Sequence, residues 1–384
     1  MLKSYKYRIY PNKAQSELIN KHIGCCRFVY NLALETKQMA YAGNRVILSG
    51  FDLVNQLPEL KLECVWLKEV SSQSLQQSIF NLETAFSRFF KGQANFPNFK
   101  KKSATKSFKV PKNVVIDNGK IIIPKFKGGI NIVLHRKIKG VIKTATISKT
   151  STDKYFASVI CDTGEANKKL KLIKDKTAIG IDLGIKTFIV SSNGKEYDNP
   201  KFLKKSLSRL KYVQRKYSKN KGKRTKYKLQ RLHEIVANQR KDFLHKTSTE
   251  LIKNHDTICI EDLNIKGMVK NHKLAQSISD AGWGEFVRQL EYKAEWYGNN
   301  IIRIGRFEPS SKTCSNCGDI NKELTLKDRE WTCKGCSTVF NRDVNAAINI
   351  KNFALKNYLS VERRLKNRNE LPTLVGVMTS EVNT

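Results

Sequence analysis

Two short apolar runs in the carboxyl-terminal half of the chain each end on an acidic residue. Residues 178 to 181 lead into Asp182, and residues 257 to 260 lead into Glu261. Runs of this length, bounded by turn residues, are typical of buried strands and too short for most helices. The first run continues through a Gly-containing turn to a second apolar run closed by Asn193 and Gly194, which predicts a β-hairpin with Asp182 at the centre of a sheet.

A third acidic residue follows later in the chain, in the segment NRDVNAA. Asp343 is predicted to lie in the first turn of a helix over residues 344 to 350, whose Ala346 and Ala347 allow close packing on a sheet. Two-metal hydrolysis of a phosphodiester needs hard oxygen ligands from several elements around cations roughly 4 Å apart. Each acidic motif alone is more often a turn or a helix cap. Together they predict catalytic Mg²⁺ or Mn²⁺ ligands in a metal-dependent nuclease, namely Asp182, Glu261 and Asp343.

Four cysteines lie between the second and the third acidic residue. They form two CxxC pairs separated by residues 318 to 332, a spacing typical of structural zinc sites. Four thiolates close a tetrahedral site and leave no open position for water. A pair of disulfides or redox dithiols is the alternative, which an intracellular setting disfavours. The pattern predicts one structural Zn²⁺ bound by Cys314, Cys317, Cys333 and Cys336.

The chain carries a large excess of positive charge. Its 384 residues include 71 Lys and Arg against 34 Asp and Glu, for a net charge of +37. A charge of this size favours a polyanionic partner, and nucleic acid is the obvious candidate; a basic protein that is merely soluble is the alternative. The chain has neither an apolar run long enough to cross a bilayer nor a secretory signal. We expect a cytoplasmic protein, nucleoid-associated if prokaryotic, with no membrane partner and no small-molecule substrate.

The positive charge is most concentrated between residues 201 and 240. This segment holds 15 Lys and Arg against the single acid Glu234, in a helical pattern interrupted at residues 220 to 222. A solvated pair of charged helices is one interpretation, although alternating signs would then be expected. Contact with RNA or a heteroduplex is the interpretation we favour. The candidate contact residues are Lys204, Lys205, Arg209, Lys211, Arg215, Lys216, Lys219, Lys223, Arg224 and Lys226.

The amino-terminal half predicts helices followed by strands. Apolar residues recur at helical intervals from about 12 to 41, where Asn12 and Gln15 have capping-box spacing, and again from 74 to 90. Short β-branched runs separated by turn signals follow between 108 and 160, and they predict a small barrel that residues 2 to 10 could complete. The basic connector 167 to 176 marks a domain boundary.

Several segments of the chain resemble the TnpB family, the transposon-encoded RNA-guided DNA endonucleases related to the type V CRISPR effectors. The specific matches are FEPSSKTCSNCG, WTCKGC and NRDVNAA, and suggestive ones are KYRIYPNKAQ, GCCRFVYN and FPNFKKK. One departure is visible, because Asn341 stands where the family commonly has Asp. Since Asp343 is intact, we do not expect the departure to abolish cleavage.

The resemblance implies a multidomain α+β fold. Its parts would be an RNase H-like (RuvC) nuclease core with an inserted zinc ribbon, preceded by a wedge-type β-barrel and a helical recognition domain. The expected boundaries are 1–10 and 91–172 for the barrel, 11–90 for the recognition domain, 173–310 and 341–360 for the nuclease core, 311–340 for the zinc insertion, and 361–384 for a mobile tail.

The resemblance also implies partners and an activity. Members of the family bind a guide RNA derived from the transposon end and cut double-stranded target DNA paired to it. The three acidic residues would correspond to the RuvC-like triad and the four cysteines to the zinc ligands. Two alternatives remain open, a nuclease-inactive RNA-guided DNA-binding repressor and a DNA-strand transferase (transposase).

Overall fold

The computed structural model describes residues 1–103, 106–325 and 327–367. Two compact units divide the chain, one ending at Ala166 and the other starting at Asn167. The division lies at the start of the basic connector predicted at 167 to 176. Within the described residues, no helix is both long and apolar enough to cross a bilayer.

The amino-terminal unit combines helices with an antiparallel sheet. Its elements are β1 (Leu2–Tyr10), α1 (Lys13–Asn44), α2 (Gly50–Asn55), α3 (Leu57–Glu63), α4 (Ser72–Phe90), β2 (Lys106–Val110), β3 (Val115–Asp117), β4 (Lys120–Ile122), β5 (Ile130–Val133), β6 (Val141–Lys149) and β7 (Tyr155–Asp162). The two predicted helices are confirmed as α1 and α4, while α2 and α3 were not predicted. The capping box is also confirmed, since Asn12 and Gln15 exchange side-chain to backbone hydrogen bonds of 2.8 and 3.1 Å.

The sheet of this unit has seven strands in the order β2-β6-β7-β1-β5-β4-β3. The first strand of the chain lies in the middle, where alternate side chains Tyr5, Tyr7 and Ile9 are buried. Residues 2 to 10 therefore do join the later strands. The strand pairings among the described residues run in one line and do not join β2 to β3, so closure into a barrel remains a prediction.

A buried histidine ties the helices of this unit to the sheet. The His22 ring is stacked 4.7 Å from the Phe108 ring of β2. Its Nδ1 lies 2.9 Å from the carbonyl of Leu18, and its Nε2 accepts the backbone N–H of Ser71 at 3.0 Å. Helix α1, the start of α4 and strand β2 are thereby held together as one packed assembly.

The carboxyl-terminal unit contains the segments that carry the acidic residues and the cysteines. Its elements are β8 (Ala178–Leu183), β9 (Thr187–Ser191), β10 (Glu196–Asp198), α5 (Phe202–Asn220), α6 (Lys223–Asn254), β11 (Thr257–Glu261), α7 (Ile265–Met268), α8 (His272–Ala281), α9 (Trp283–Tyr297), β12 (Asn300–Ile304), β13 (Glu330–Thr332), β14 (Val339–Asn341) and α10 (Arg342–Asn367). The predicted hairpin is confirmed as β8 and β9, and the two basic helices as α5 and α6.

The final helix is longer than the sequence pattern indicated. Helix α10 runs from Arg342 to Asn367, whereas a helix over 344 to 350 and a mobile tail over 361 to 384 were predicted. The helix thus includes residues 361 to 367 of the predicted tail, whose mobility stays a prediction. Residues 368 to 384 lie outside the described part of the chain.

The second sheet has the strand order β10-β9-β8-β11-β12, with β8, β11 and β12 parallel to one another. Successive side chains of a strand point to opposite faces of the sheet. Ile179, Ile181 and Ile260 pack in a core with residues of α6, α8 and α9. The alternate residue Cys259 packs instead with Ile350 and other residues of α10. The sheet thus lies between two helical layers, and α10 covers the face to which Cys259 belongs, together with Ile173 of the connector.

Helix α10 approaches β8 very closely at Gly180. A Cβ at this position would lie 2.1 Å from the carbonyl oxygen of Ala347 and 2.8 Å from the backbone N of Lys351. Both atoms belong to the helix backbone, so they cannot move aside as a flexible side chain could. Only glycine permits this contact, which sets how near the first turn of α10 comes to the end of β8.

Replacing Gly180 with Ala should force α10 away from β8. Overpacking of this kind costs about 1–3 kcal/mol, so we expect a clear fall in the midpoint of thermal unfolding. Gly24→Ala is the matched control, because nothing lies within 4 Å of an added Cβ there and a helical Ala is favoured over Gly. Equal midpoints for Gly180→Ala and the wild type would contradict the close contact.

Candidate active site

Asp182 and Glu261 are neighbours at the carboxyl ends of two parallel strands. The register of β8 and β11 pairs Ile181 with Ile260, so the two acidic residues are the next positions along each strand. Adjacent strands lie about 4.8 Å apart. The carboxyl ends of parallel strands are also where α/β sheets commonly bind their ligands. The predicted positions of both acidic residues on strands are confirmed.

Asp343 reaches the same region from the helical layer. It lies in the first turn of α10, one turn before Ala347, which contacts Gly180. Asp182 follows Gly180 by two residues and therefore lies on the same face of the sheet. The close contact between α10 and β8 thus brings the first turn of the helix toward Asp182.

The charges of the three acidic residues interact. Burial raises the pKa of Asp182 to about 7, and the carboxylates of Asp343 and Glu261 act in the same direction. The Arg342 guanidinium and a hydrogen bond from the Leu183 backbone oppose this rise. Burial also raises the pKa of Glu261, with a smaller contribution from Asp262. The site is a cluster of like charges that a bound cation would relieve.

Asp343 is held by an arginine from the cysteine segment. The Arg329 Nη1 donates to Asp343 Oδ2 at 2.8 Å, and the Arg329 carbonyl accepts the backbone N–H of Arg342 at 2.7 Å. Among the described residues, the three carboxylates are not drawn together within 4.8 Å as the cysteine ligands are. Asp343 pairs with Arg329 instead. Their convergence on shared cations therefore remains a prediction.

The four predicted cysteines do come together. One ligand atom from each of Cys314, Cys317, Cys333 and Cys336 lies within 4.8 Å of all the others. The Sγ atoms of Cys314 and Cys336 are 3.6 Å apart, and those of Cys317 and Cys333 are 3.5 Å apart. A tetrahedral zinc ion with Zn–S bonds of about 2.3 Å would place its sulfurs roughly 3.8 Å apart. The donor set therefore fits zinc closely.

Local hydrogen bonds favour the thiolate of Cys336, whereas burial raises the pKa of Cys333. The Thr338 hydroxyl lies 3.2 Å from the Cys336 Sγ, and hydrogen bonds from Thr338 lower the pKa of Cys336 to about 6. The backbone N–H groups of Cys317 and Gly335 point at the Sγ atoms of Cys314 and Cys333, each at 3.4 Å. Thiolates are the form that binds metal.

Asn341 caps the amino terminus of α10. Its Oδ1 accepts the backbone N–H groups of Asp343 at 3.0 Å and Val344 at 3.2 Å. Asn and Asp serve equally well at this position because each offers a side-chain oxygen to free N–H groups. The departure from Asp therefore preserves the hydrogen bonding that positions Asp343.

Two buried asparagines that were not predicted attach α10 to the cysteine segment. The Asn345 side chain donates to the Thr313 carbonyl at 2.7 Å and accepts the Ser315 backbone N–H at 3.0 Å. Asn349 donates to the carbonyls of Ser310 and Thr313 at 2.8 and 2.6 Å. The sequence did offer a signal for them, namely two polar residues four positions apart on a helix face that otherwise carries small and apolar side chains.

The basic helices α5 and α6 pack through an apolar seam that includes Leu210, Val213 and Leu229. Their predicted nucleic-acid contacts remain predictions, although the positions are accessible. All ten have exposed side chains, namely Lys204, Lys205, Arg209, Lys211, Arg215, Lys216, Lys219, Lys223, Arg224 and Lys226.

Comparison with known proteins decides the family. The chain is 37% identical over 359 residues to "Putative RNA-guided DNA endonuclease" of Streptomyces pristinaespiralis, covering 91% of this chain and 88% of the relative. It is 33% identical over 374 residues to "Putative RNA-guided DNA endonuclease InsQ" of Escherichia coli (strain K12), covering 91% of each. It is 24% identical over 399 residues to "TnpB-like protein L770" of Acanthamoeba polyphaga mimivirus, covering 92% of this chain and 74% of the relative.

The chain belongs to the TnpB family.

Family models match three parts of this TnpB chain. They are described as "Probable transposase" over residues 161–272, "Cas12f1-like, TNB domain" over residues 283–350 and "Helix-turn-helix domain" over residues 1–45. In the structure, residues 1–45 form strand β1 and the single helix α1. The fold is similar to that of the protein in a Cas12f1-sgRNA-target DNA complex, with a TM-score of 0.58, 15% identity and coverage of 88% of this chain and 83% of that one.

Replacing Asn341 with Ala should remove the cap of α10. Loss of a cap typically costs about 1 kcal/mol, so the midpoint of thermal unfolding should fall by roughly 2–4 °C. Asn341→Asp should stay within about 0.5 kcal/mol of the wild type, because the aspartate oxygen accepts the same two N–H groups. A neutral effect of Asn341→Ala, measured beside Asn341→Asp, would contradict the assigned role.

The raised pKa of Asp182 predicts a stability that depends on pH. Between its ordinary value of 3.8 and about 7, the folded state binds more protons at this group than the unfolded state, so the ionised carboxylate destabilises the fold as pH rises. In EDTA, Asp182→Asn should raise the unfolding midpoint by roughly 2–6 °C near pH 8, and the gain should vanish toward pH 4. The exposed Asp198→Asn is the control. A gain that does not change with pH would refute the proposed electrostatics.

Proposed function

We propose that this chain is an RNA-guided DNA endonuclease of a transposable element that hydrolyses DNA phosphodiesters with divalent cations. The observation that carries the proposal is the position of Asp182 and Glu261 on neighbouring strands at one edge of the second sheet. Asp182 and Glu261 lie at the carboxyl ends of neighbouring parallel strands, and Asp343 lies in the first turn of α10, which packs on β8. Membership of the TnpB family, whose relatives bear the endonuclease name, supports the same activity.

The three carboxylates would hold Mg²⁺ or Mn²⁺. When bound, two such ions activate a water molecule and stabilise the leaving oxygen of the phosphodiester. Asp182, Glu261 and Asp343 supply hard oxygen donors from two strands and a helix, which suits these ions. Asp343 would exchange its ion pair with Arg329 for a cation, and that exchange would free the Arg329 guanidinium near the site.

The cysteine cluster would hold one structural zinc ion. The four sulfurs of Cys314, Cys317, Cys333 and Cys336 lie at distances suited to a closed tetrahedral site. The metal would stabilise a small segment whose own core includes Leu324 and Trp331. Through Arg329, Asn345 and Asn349 that segment also supports the start of α10.

Nucleic-acid binding would depend on positive charge spread over the chain. The excess of 37 positive charges suits a guide RNA and a target duplex, and the exposed bases of α5 and α6 would contact their backbones. Base pairing between guide and target would supply sequence information that a chain of this size could not read itself.

The finer domain layout is part of the same proposal. Residues 173–310 and 341–360 would form the RuvC-like nuclease core, with the zinc insertion at 311–340. Residues 1–10 and 91–172 would form the wedge-type domain, and residues 11–90 the helical recognition domain. The antiparallel sheet of the first unit and the mixed sheet of the second are compatible with this layout.

The test is cleavage of a guide-matched duplex by the purified protein with its co-encoded RNA and Mg²⁺. Asp182→Ala should lower the rate at least about 100-fold, because a cation ligand is removed. Asp198→Ala, an exposed acid on β10 of the same sheet, should leave the rate unchanged.

Three results would contradict the proposal. Cleavage by Asp182→Ala at the wild-type rate would remove the assigned site. Tight binding by the wild-type complex without any cut product would favour a repressor. Strand-joined products in place of free ends would favour a transferase.

A further inference from the structure

The amino-terminal unit contains a strongly basic pocket. It is enclosed by α1, α4, β2 and the segment 100–102, and its volume is about 370 Å³. Pockets that bind small ligands commonly have volumes of about 300–1,000 Å³. Of the described residues that line it, none is acidic and six are cationic: Arg27, Lys100, Lys101, Lys102, Lys106 and Lys109.

Lys100 is fixed in place by the helix beside it. The Asn31 side chain accepts the Lys100 backbone N–H at 2.7 Å and donates to its carbonyl at 3.1 Å. The ammonium lies 3.6 Å from the centroid of the Tyr30 ring. Because both the backbone and the ammonium of Lys100 make contacts, the fold fixes the position of its charge. The side chain nevertheless stays accessible to solvent.

Among the described residues, no carboxylate lines the pocket to neutralise its positive charges. Partial desolvation by the surrounding walls lowers the pKa of Lys100 although its side chain is accessible, and no carboxylate forms an ion pair with it in the described part of the chain. Cations grouped in a concave space repel one another, and low-dielectric walls strengthen that repulsion. An anion with several acceptor oxygens would relieve it.

Neutral hydrogen-bonding groups also line the pocket, beside the apolar Ile23, Cys26 and Phe108. Ser78, Asn81, Ser107 and Thr146 border the space. Four consecutive residues of β2 also line it, although successive side chains of a strand point to opposite faces. The edge of β2 itself therefore borders the pocket, and this edge is unpaired because β2 pairs with β6 alone among the described strands. Cations mixed with neutral donors are what phosphate oxygens require.

We propose that this pocket binds a phosphate group, with Arg27 and Lys100 as its main cationic contacts. The ligand would be a phosphodiester of a nucleic acid or a free phosphate compound, since both present the same oxygens. The pocket shares no residue with the three carboxylates or the cysteine cluster. It therefore does not depend on the endonuclease proposal, and loss of cutting activity would not affect it.

The experiment uses the full-length protein freed of RNA. Lys100→Gln and Arg27→Gln each remove one positive charge from the pocket, and Lys137→Gln removes one from an exposed position of the same unit outside it. Binding of a short duplex of random sequence is measured over a range of salt concentrations. Each pocket variant should reduce the slope of log K against log salt by about 0.9, the value for one lost phosphate contact. Lys137→Gln should leave the slope nearly unchanged.

A second measurement separates the two sources of phosphate. Inorganic pyrophosphate should raise the thermal midpoint of the wild type and of Lys137→Gln, and this rise should be lost in both pocket variants. Loss of pyrophosphate stabilisation with unchanged duplex slopes would support a free phosphate compound. Reduced slopes would support a nucleic-acid phosphate.

Fold defects are checked without any ligand. Because Lys100 packs on Tyr30, its replacement could lower the midpoint by itself, in which case Arg27→Gln and the exposed Lys101→Gln carry the comparison. Pocket variants that match Lys137→Gln in both assays would overturn the proposal.

Discussion

The close contact between the backbone of α10 and Gly180 of β8 is the constraint on which the candidate site depends. It lets a helix rest directly on the strand that carries Asp182, at a distance that any side chain at position 180 would prevent. Ala347 provides the matching small residue on the helix, and Asp343 lies one turn earlier on the same helix. A wider separation would leave Asp343 away from the ends of β8 and β11. The geometry of the candidate site therefore requires glycine at position 180, where even the methyl group of alanine would clash with α10.

The cluster of acidic residues is electrostatically unfavourable for the folded chain, which points to a functional role. A carboxyl group whose pKa is raised to about 7 by burial and by two neighbouring carboxylates destabilises the folded chain near neutral pH. Such arrangements are concentrated at functional sites, where binding of a ligand or cation offsets them. The cysteine segment contributes to the same balance, because Arg329 neutralises part of the charge while Asn345 and Asn349 hold the helix. The cysteine cluster and the acidic helix turn are thus one connected structure.

Two other regions of the chain carry concentrated positive charge. The exposed face of α5 and α6 and the pocket around Lys100 both place cations where the described residues offer few acidic partners. A polyanion would neutralise both basic regions, whereas a small anionic ligand would neutralise only the pocket. In the proposed endonuclease, the basic regions would bind nucleic-acid phosphates and the confined acidic cluster would hold the cations.

Local patterns were sufficient for much of this architecture. The capping box at Asn12, the strands ending at Asp182 and Glu261, the helices α5 and α6, and the convergence of four cysteines could all be predicted, because each depends on residues close in sequence or on a strict spacing. Tertiary structure alone decided the pairing of Arg329 with Asp343, the extension of α10, the clamp of Asn31 on Lys100 and the contact at Gly180. Those features join residues as far as 167 positions apart, as Gly180 and Ala347 are. Sequence periodicity cannot reveal such contacts, because they form only when the chain has packed. The distance between two packed elements is set by the shapes of both elements.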